Sequence, residues 1–416
     1  MATALPEDDS RATLARRLLA SLAGAALRLL ALAVLLTPPP ALAGVKETVA
    51  ALAPGAVVYV VDAHGAELVA QNADRPFVPA SVTKIVTAWL AMETLGANYR
   101  FETRFSLDDR RVLYIRGGGD PFLISEELAP LAAGLVAAVG KEPITGIVLD
   151  GSYYPPDLRI PGVEDDGEAY NALNSALAVN FNTIFATRSG NSVRSAEKQT
   201  PITPLAIAQF RARGPNGTGR ISLDQDPAVS LQYAGELIAA FIQQAGGRVT
   251  GPVTTGTAPA GLKPVYIHRQ SRTLAQILVE LLRASNNYIA NQVFLEIGAH
   301  RLGPPVSLAK SLSVANEALA AHGLAGAIHI EEGSGISRDN RFTARGLADV
   351  LALFAPHADL LHGHDGGMDK TGTMDGIRTL AGYADTARHG RVRFVISLSS
   401  NDETRFRLLR AIEAEL

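Results

Sequence analysis

The sequence predicts an α/β (α+β) fold in which a main domain is split by an inserted, β-rich α+β domain, and three observations carry that prediction. Near the N-terminus, Val57 to Val61 and Glu67 to Gln71 alternate in polarity around His64-Gly65, the pattern of a hairpin. From about Arg100 to Pro264 the chain changes to short strands and loops rich in Gly, Pro, Asn and Thr. After Ser271 long helical patterns return, and a second alternating pair, Gly376 to Tyr383 and Arg391 to Ser399, precedes a closing helical pattern from Asp402 to Leu416. The N-terminal strands are therefore expected to complete a sheet whose other strands come from the C-terminus.

Each part follows in order. Arg11, Arg16, Arg17 and Arg28 precede the apolar run Leu29 to Leu36, which leads through Thr37-Pro38-Pro39-Pro40 to the small-x-small site Ala41-Leu42-Ala43. Residues 1–43 read as an export signal cleaved before Gly44, which places the protein in the periplasm or another extracytoplasmic space. The alternative is an uncleaved anchor counted back through Leu18, and with it association with a membrane surface. Residues 44–100 supply the first part of the main domain: the hairpin, then a helix opening at Ser81, running apolar from Ile85 to Met92 and stopping at Gly96. Residues 101–264 are the insert, with strands at Arg111 to Ile115 and Thr145 to Leu149 and one helical run from Ser125 to Val139. Residues 265–416 close the main domain with helices at Leu274 to Leu282, Tyr288 to Ile297, Leu308 to Ala321 and Thr343 to Phe354 before the final hairpin and helix.

Composition agrees. A chain of 416 residues suggests two or three domains, and 47% hydrophobic with 19% charged residues is ample for packed cores. A net charge of −3 gives no reason to propose a nucleic-acid partner. With no cysteine, disulfides and thiol chemistry are excluded. His362-Gly363-His364-Asp365 lacks further metal ligands at a persuasive spacing, and Gly117-Gly118-Gly119 lacks the lysine and hydroxyl of a phosphate loop. Neither metal nor cofactor is expected.

Three short motifs occur in order: Ser81-Val82-Thr83-Lys84, Ser285-Asn286-Asn287 and Lys370-Thr371-Gly372-Thr373. Singly each is weak. Ser195-Ala196-Glu197-Lys198 and Ser307-Leu308-Ala309-Lys310 match the first pattern as well, and Ser189-Gly190-Asn191 and Ser399-Ser400-Asn401 match the second. Context favours Ser81, which opens an apolar helix and shares one face of its first turn with Lys84. An ordinary N-cap serine is the bland reading, but a lysine among apolar neighbours is costly unless it is paired or functional. Only seven lysines occur in the chain, and two of them fall in these motifs.

The residue types suit serine acyl transfer. A serine hydroxyl needs a base to remove its proton, and a lysine serves only where its surroundings favour the neutral amine. Arginine does not lose its proton and could not substitute. On this reading Ser285 relays a proton to the leaving amine, and Asn287 holds both the lysine and the substrate backbone. Thr371-Gly372-Thr373 begins an edge strand along which a substrate can lie close to the backbone at Gly372. Backbone N–H groups of Ser81 and Thr373 hold the oxyanion, and Lys370 offers positive potential to a substrate carboxylate.

The three motifs together resemble those of penicillin-binding proteins and class A β-lactamases. Further landmarks narrow the resemblance: Gly117-Gly118-Gly119-Asp120-Pro121, Tyr170-Asn171 through Ser175-Ala176-Leu177-Ala178-Val179-Asn180-Phe181-Asn182, Gly333-Ser334-Gly335-Ile336-Ser337-Arg338-Asp339-Asn340 and Leu380-Ala381-Gly382-Tyr383. With these the chain resembles the class C low-molecular-mass penicillin-binding proteins, the D-alanyl-D-alanine carboxypeptidase/endopeptidase family, over nearly everything after residue 45. The resemblance implies a serine transpeptidase/β-lactamase-like main domain and an exported serine D,D-carboxypeptidase/endopeptidase. Its substrates would be peptidoglycan stem peptides, and β-lactam antibiotics would be its covalent inhibitors. The alternatives are an inactive or weakly active peptidoglycan-binding relative, or a β-lactamase or esterase on the same scaffold. One departure stands out: Asp365-Gly366-Gly367-Met368 runs almost directly into Lys370, without the stretch usual in the family, which implies an altered pocket rim.

Overall fold

The computed structural model describes residues 44–399 and 402–416. The export signal expected at residues 1–43 lies outside the described residues. The first part of the chain forms α1 (Val45–Leu52), the hairpin β1 (Val57–Val61) and β2 (Glu67–Gln71), and α2 (Thr83–Thr94) after a short 3₁₀ turn at Ala80–Val82. The middle part contributes β3 (Glu102–Leu107), β4 (Val112–Arg116), α3 (Ser125–Val139), β5 (Gly146–Asp150), β6 (Thr183–Ser189), β7 (Ser192–Ser195), α4 (Pro204–Arg213), β8 (Gly217–Ser222), α5 (Pro227–Gln244), β9 (Val253–Thr255) and β10 (Pro264–Arg269). The last part contributes α6 (Leu274–Ala284), α7 (Asn287–Leu302), α8 (Leu308–Ala321), β11 (Ile328–His329), β12 (Arg341–Phe342), α9 (Ala344–Phe354), β13 (His362–His364), β14 (Gly367–Met374), β15 (Ile377–Thr386), β16 (Gly390–Leu398) and α10 (Asp402–Glu415).

The main sheet is antiparallel, in the order β13-β14-β15-β16-β1-β2, so strands from the two ends of the chain lie side by side and Val58 pairs with Ile396. Alternation in β1 sends Val57, Tyr59 and Val61 to one face and Val58 and Val60 to the other, as the two-residue period of a strand requires. Val58 and Val60 pack with Val45 and Val49 of α1 and Leu408, Leu409 and Ile412 of α10. The opposite face packs on α2, α6, α7, α8 and α9 in the largest core. Helix α2 is buried from Thr83 to Met92, so it is apolar nearly all round and sits inside the molecule rather than on it.

The middle part builds a second sheet, β10-β3-β4-β5-β9, antiparallel at β10-β3-β4 and parallel at β4-β5-β9, and a third of three strands, β7-β6-β8. Helices α3, α4 and α5 bury Leu128, Leu131, Phe210, Leu237 and Phe241 in a core of their own. Of these three helices only α3 is expected from the sequence reading, although α5 also buries Tyr233, Ala234, Leu237, Ile238, Phe241 and Ile242 at helical spacing. Helices α4 and α5 are marked by their starts, where Thr203 accepts from the Ala206 amide at 3.2 Å and Asp226 from the Ala228 amide at 2.9 Å, each with a proline at the next position.

One expectation is modified. The strand at Lys370-Thr371-Gly372 opens at Gly367, and β13 pairs outside it at Gly367, Met368 and Asp369, so among the described residues the free edge begins only at Lys370. The abrupt run from Asp365 into Lys370 is a tight hairpin turn at Asp365-Gly366.

Candidate active site

The site forms where the start of α2 meets the α6–α7 junction and the open part of β14. Ala80 adopts φ +50°, an uncommon conformation for a residue with a Cβ, and turns the chain into the 3₁₀ segment that presents Ser81. Gly335, at φ +82°, closes behind it: a Cβ there would fall 1.9 Å from the Ala80 carbonyl oxygen. Strand β14 approaches from the other side. A Cβ at Gly372 would lie 3.0 Å from the Ser81 amide nitrogen and 2.1 Å from Thr379 Oγ1, which itself donates to the Pro79 carbonyl at 2.7 Å. Glycine is required at both positions because backbone and hydroxyl already fill the space.

Lys84 is fully buried one helical turn after Ser81. Its Nζ donates to Ser81 Oγ at 2.9 Å, to Asn287 Oδ1 at 2.8 Å and to the Ser334 carbonyl at 2.7 Å. Burial drives the Lys84 ammonium well below the usual lysine range, the charge of Lys370 pushes the same way, and the Glu332 carboxylate opposes both. A buried amine with its proton destabilised, in contact with a hydroxyl, can accept that hydroxyl's proton.

Ser285 and Asn287 flank a break between two helices. Ser285 ends α6 at φ +53°, ψ +37°, and Asn286 caps α7 by accepting from the Ile289 amide at 3.1 Å. This abrupt change of direction turns Ser285 into the cleft while Asn287, the first residue of α7, reaches Lys84. Asn287 Nδ2 also donates to the Tyr170 carbonyl at 3.2 Å. The cleft, of about 430 Å³, is lined by Ser81, Ser285, Asn287 and Thr373 among others, with Arg338 and Asp375 at its mouth. Lys370 is buried and held at about 8: burial lowers it most, Asp369 opposes, and Arg405 adds a like charge. Its Nζ donates to the Thr371 carbonyl at 2.9 Å.

Six of the eight residues singled out from sequence (Ser81, Lys84, Ser285, Asn287, Gly372 and Thr373) thus meet in or against the cleft, while Lys370 is buried beside it without lining it. Thr371 does not line the cleft and serves it as the carbonyl partner of Lys370. Two of the competing motifs have structural partners away from the cleft: Ser195 Oγ in β7 donates to the Glu197 carbonyl at 2.8 Å, and Lys310 Nζ donates to the carbonyls of Gly303 (2.7 Å) and Pro305 (2.8 Å). Ser189-Gly190-Asn191 closes the β6–β7 turn, and Ser400-Asn401 lies outside the described residues.

Sequence reasoning missed two supporting charges. Glu332, fully buried, accepts from the amides of Ser334 (2.7 Å) and Gly335 (2.6 Å), from the Ser334 hydroxyl (2.7 Å) and from Asn340 Nδ2 (3.0 Å), fixing the loop whose Ser334 carbonyl binds Lys84. Its place directly before the Gly333–Asn340 landmark was the available signal. Arg405, buried in α10, donates to the carbonyls of Gly372 at 3.0 Å and Thr379 at 3.1 Å and so backs the Lys370 strand. Nothing local in the sequence marks it.

The profile of the D-Ala-D-Ala carboxypeptidase 3 (S13) family matches residues 50–366. A D-alanyl-D-alanine carboxypeptidase of Actinomadura sp. (strain R39) is 28% identical over 402 residues, covering 79% of this chain and 74% of that protein. In fold, the chain is similar to penicillin binding protein 4 (dacB) from Haemophilus influenzae, with a TM-score of 0.72 at 19% identity over 88% of this chain and 98% of that one. It is more distantly similar to a penicillin G-acylated predatory endopeptidase from Bdellovibrio bacteriovorus, with a TM-score of 0.50 at 16% identity over 85% and 87% of the two chains. With the family profile matching most of the chain, this protein belongs to the D-Ala-D-Ala carboxypeptidase 3 (S13) family of serine D,D-peptidases.

Proposed function

We propose that Ser81 is the nucleophile of this serine D,D-peptidase and Lys84 its base. Ser81 Oγ attacks the carbonyl carbon of the penultimate D-alanine in a peptidoglycan stem peptide while its proton passes to Lys84 Nζ. The resulting oxyanion is held by the amides of Ser81 and Thr373. As the C–N bond breaks, Ser285 relays a proton to the departing amine, and water then hydrolyses the acyl-enzyme by the reverse sequence. Asn287 keeps Lys84 in place and offers its amide to the substrate backbone, and Lys370 faces the terminal carboxylate. Cleavage of a cross-link proceeds through the same acyl-enzyme, and a β-lactam stops at that stage. The protein is read as exported, with its signal removed before Gly44.

The observation that carries this reading is the fully buried Lys84 amine 2.9 Å from Ser81 Oγ. Benzylpenicillin should add one penicilloyl mass, located by peptide mapping on the fragment containing Ser81, and Ser81→Ala should take up none. Incubation with a defined pentapeptide should release one D-alanine. Labelling at Ser195 or Ser307, or unchanged labelling of Ser81→Ala, overturns the assignment, and rapid turnover of a chromogenic β-lactam would show a β-lactamase instead.

A further inference from the structure

A second cleft, of about 400 Å³, opens where the middle part of the chain meets α7, and it shares no lining residue with the cleft at Ser81. Glu296 is at its floor, nine residues beyond Asn287 on the same helix, or about 14 Å along the axis. The carboxylate is 4% exposed and accepts from Tyr99 Oη at 2.7 Å and Tyr153 Oη at 2.9 Å. Arg100, Arg104 and Arg116 line the same cleft. Glu102 lines the cleft too and accepts from Arg104 Nη2 at 3.1 Å, and Arg100 Nη1 donates to the carbonyls of Gln270 (2.7 Å) and Ser271. Arg104 and Arg116 keep more than half of their side-chain surface in solvent, and the nearest carboxylate to Arg116, on Asp150, is 3.9 Å away. A guanidinium carries five donors, so these contacts leave donors for a ligand.

We infer that this cleft binds an amino-acid zwitterion, with the ligand ammonium at Glu296 and its carboxylate among Arg100, Arg104 and Arg116. Two hydroxyl donors already orient the Glu296 oxygens, and a cation is the partner that such a buried carboxylate still lacks. Guanidinium groups pair with carboxylates through parallel hydrogen bonds. A ligand carrying only one of the two charges would leave the other end of the cleft unsatisfied. The family reaction releases such a zwitterion in D-alanine, and the side-chain end of a diamino dicarboxylic acid in the wall polymer would carry the same pair of charges.

Glu296 is pushed up to about 7 by burial, against the two tyrosine hydrogen bonds that lower it. The ligand ammonium needs the ionised carboxylate, so affinity should rise about tenfold from pH 6 to pH 8, in proportion to the ionised fraction. The other titratable or charged groups around Glu296 are Tyr99 and Tyr153, Tyr154 beside them, His300 one turn further along α7, whose ring stacks edge-on with Tyr99, and Glu102, Arg100, Arg104 and Arg116 of the cleft wall. The dependence is assigned to Glu296 by comparing variants.

The test is calorimetric titration of the full protein, first acylated with benzylpenicillin to close the Ser81 cleft, with D-alanine, D-lactate and ethylamine. D-alanine should bind, D-lactate and ethylamine at least about tenfold more weakly. Glu296→Gln should weaken D-alanine binding about tenfold and flatten its pH dependence. Tyr153→Phe, which removes one hydroxyl, should move the midpoint upward and guards against a misfolded Glu296 variant. Glu296-dependent sedimentation with isolated peptidoglycan, competed by D-alanine, would identify the polymer end as the source; D-alanine binding without it identifies the free amino acid. No D-alanine binding, equal binding of the three probes, or an unchanged Glu296→Gln overturns the inference. Mass measurement before titration separates the two assignments: a missing penicilloyl adduct counts against Ser81, and the Glu296→Gln comparison on unacylated protein still decides the second cleft.

Discussion

At the scale of single residues, the contrast between two buried lysines is the most informative. Lys84 touches the Ser81 hydroxyl, the proposed nucleophile, and is held far below its ordinary range, whereas Lys370 is lowered to about 8 and contacts its own strand. Replacing each by arginine keeps charge and approximate length but removes the capacity to lose a proton. Lys84→Arg should therefore slow acylation by a fluorescent penicillin at least about a hundredfold, the usual contribution of a general base. Lys370→Arg should retain more of the rate, because a fixed positive potential survives the change. Equal losses in two variants that are folded by circular dichroism would show that these roles are wrongly divided. Residues of this kind are legible because ordered spacing separates Ser81 and Lys84 from Ser195 and Lys198. Glu332 and Arg405 escape such reading because a brace is defined by what lies next to it in space.

At the scale of elements, the turn carrying Ser81 is shaped by the loop behind it. Gly335→Ala meets two costs, a left-handed φ and a collision with the Ala80 carbonyl, whereas Gly323→Ala meets a similar φ of +72° with nothing within 4 Å. The conformational cost alone is about 1–2 kcal/mol. Gly323→Ala should lose about that much stability and acylate normally. Gly335→Ala should lose more stability and acylate at least about a hundredfold more slowly, since small displacements of a nucleophile cost that much. Urea unfolding and acylation rates measure both, and a normal acylation rate in Gly335→Ala would mean that the loop does not shape the turn. Helices α3 and α8 were legible to the residue from their apolar period. Helix α5, the longest among the described residues, was not, although Asp226-Pro227 marks its start, because it lies in a stretch otherwise rich in Gly, Pro, Asn and Thr. The Lys370 strand was legible as a strand but not in its origin, since the pairing of β13 depends on a turn of two residues.

At the scale of the whole molecule, the sheets are tied together where the chain leaves and re-enters the middle part. Buried Asp120, after β4, accepts from Gln270 Nε2 at 2.9 Å, and Glu127 at the start of α3 accepts from Ser271 Oγ at 2.6 Å. Burial raises Asp120 from 3.8 to about 6, against hydrogen bonds from Phe122 and Gln270. A carboxyl raised on folding stabilises the native state fully below its unfolded value and loses that contribution as pH rises through 6, an effect on the order of 3 kcal/mol. Asp120→Asn removes this dependence, so its stability relative to the unaltered protein should increase between pH 4 and pH 7 in urea unfolding. A relative decrease would mean that the carboxyl is held ionised. Composition shifts near residue 100 and again near 265 pointed to a division of the chain, but the return lies later than expected, because β10 (Pro264–Arg269) still pairs with β3 in the second sheet. The bonds at the crossings were not legible, because they join residues some 150 positions apart. That same long-distance pairing has a consequence for the order of events in biosynthesis. Ser81 leaves the ribosome early, but the strand bearing Lys370, the strand that anchors β1 and the arginine that braces them emerge near the end, and pairing across so long a loop is slow. The nascent chain therefore carries the proposed nucleophile without a site, and hydrolytic power against the wall arrives only once β14 to β16 and α10 have been made.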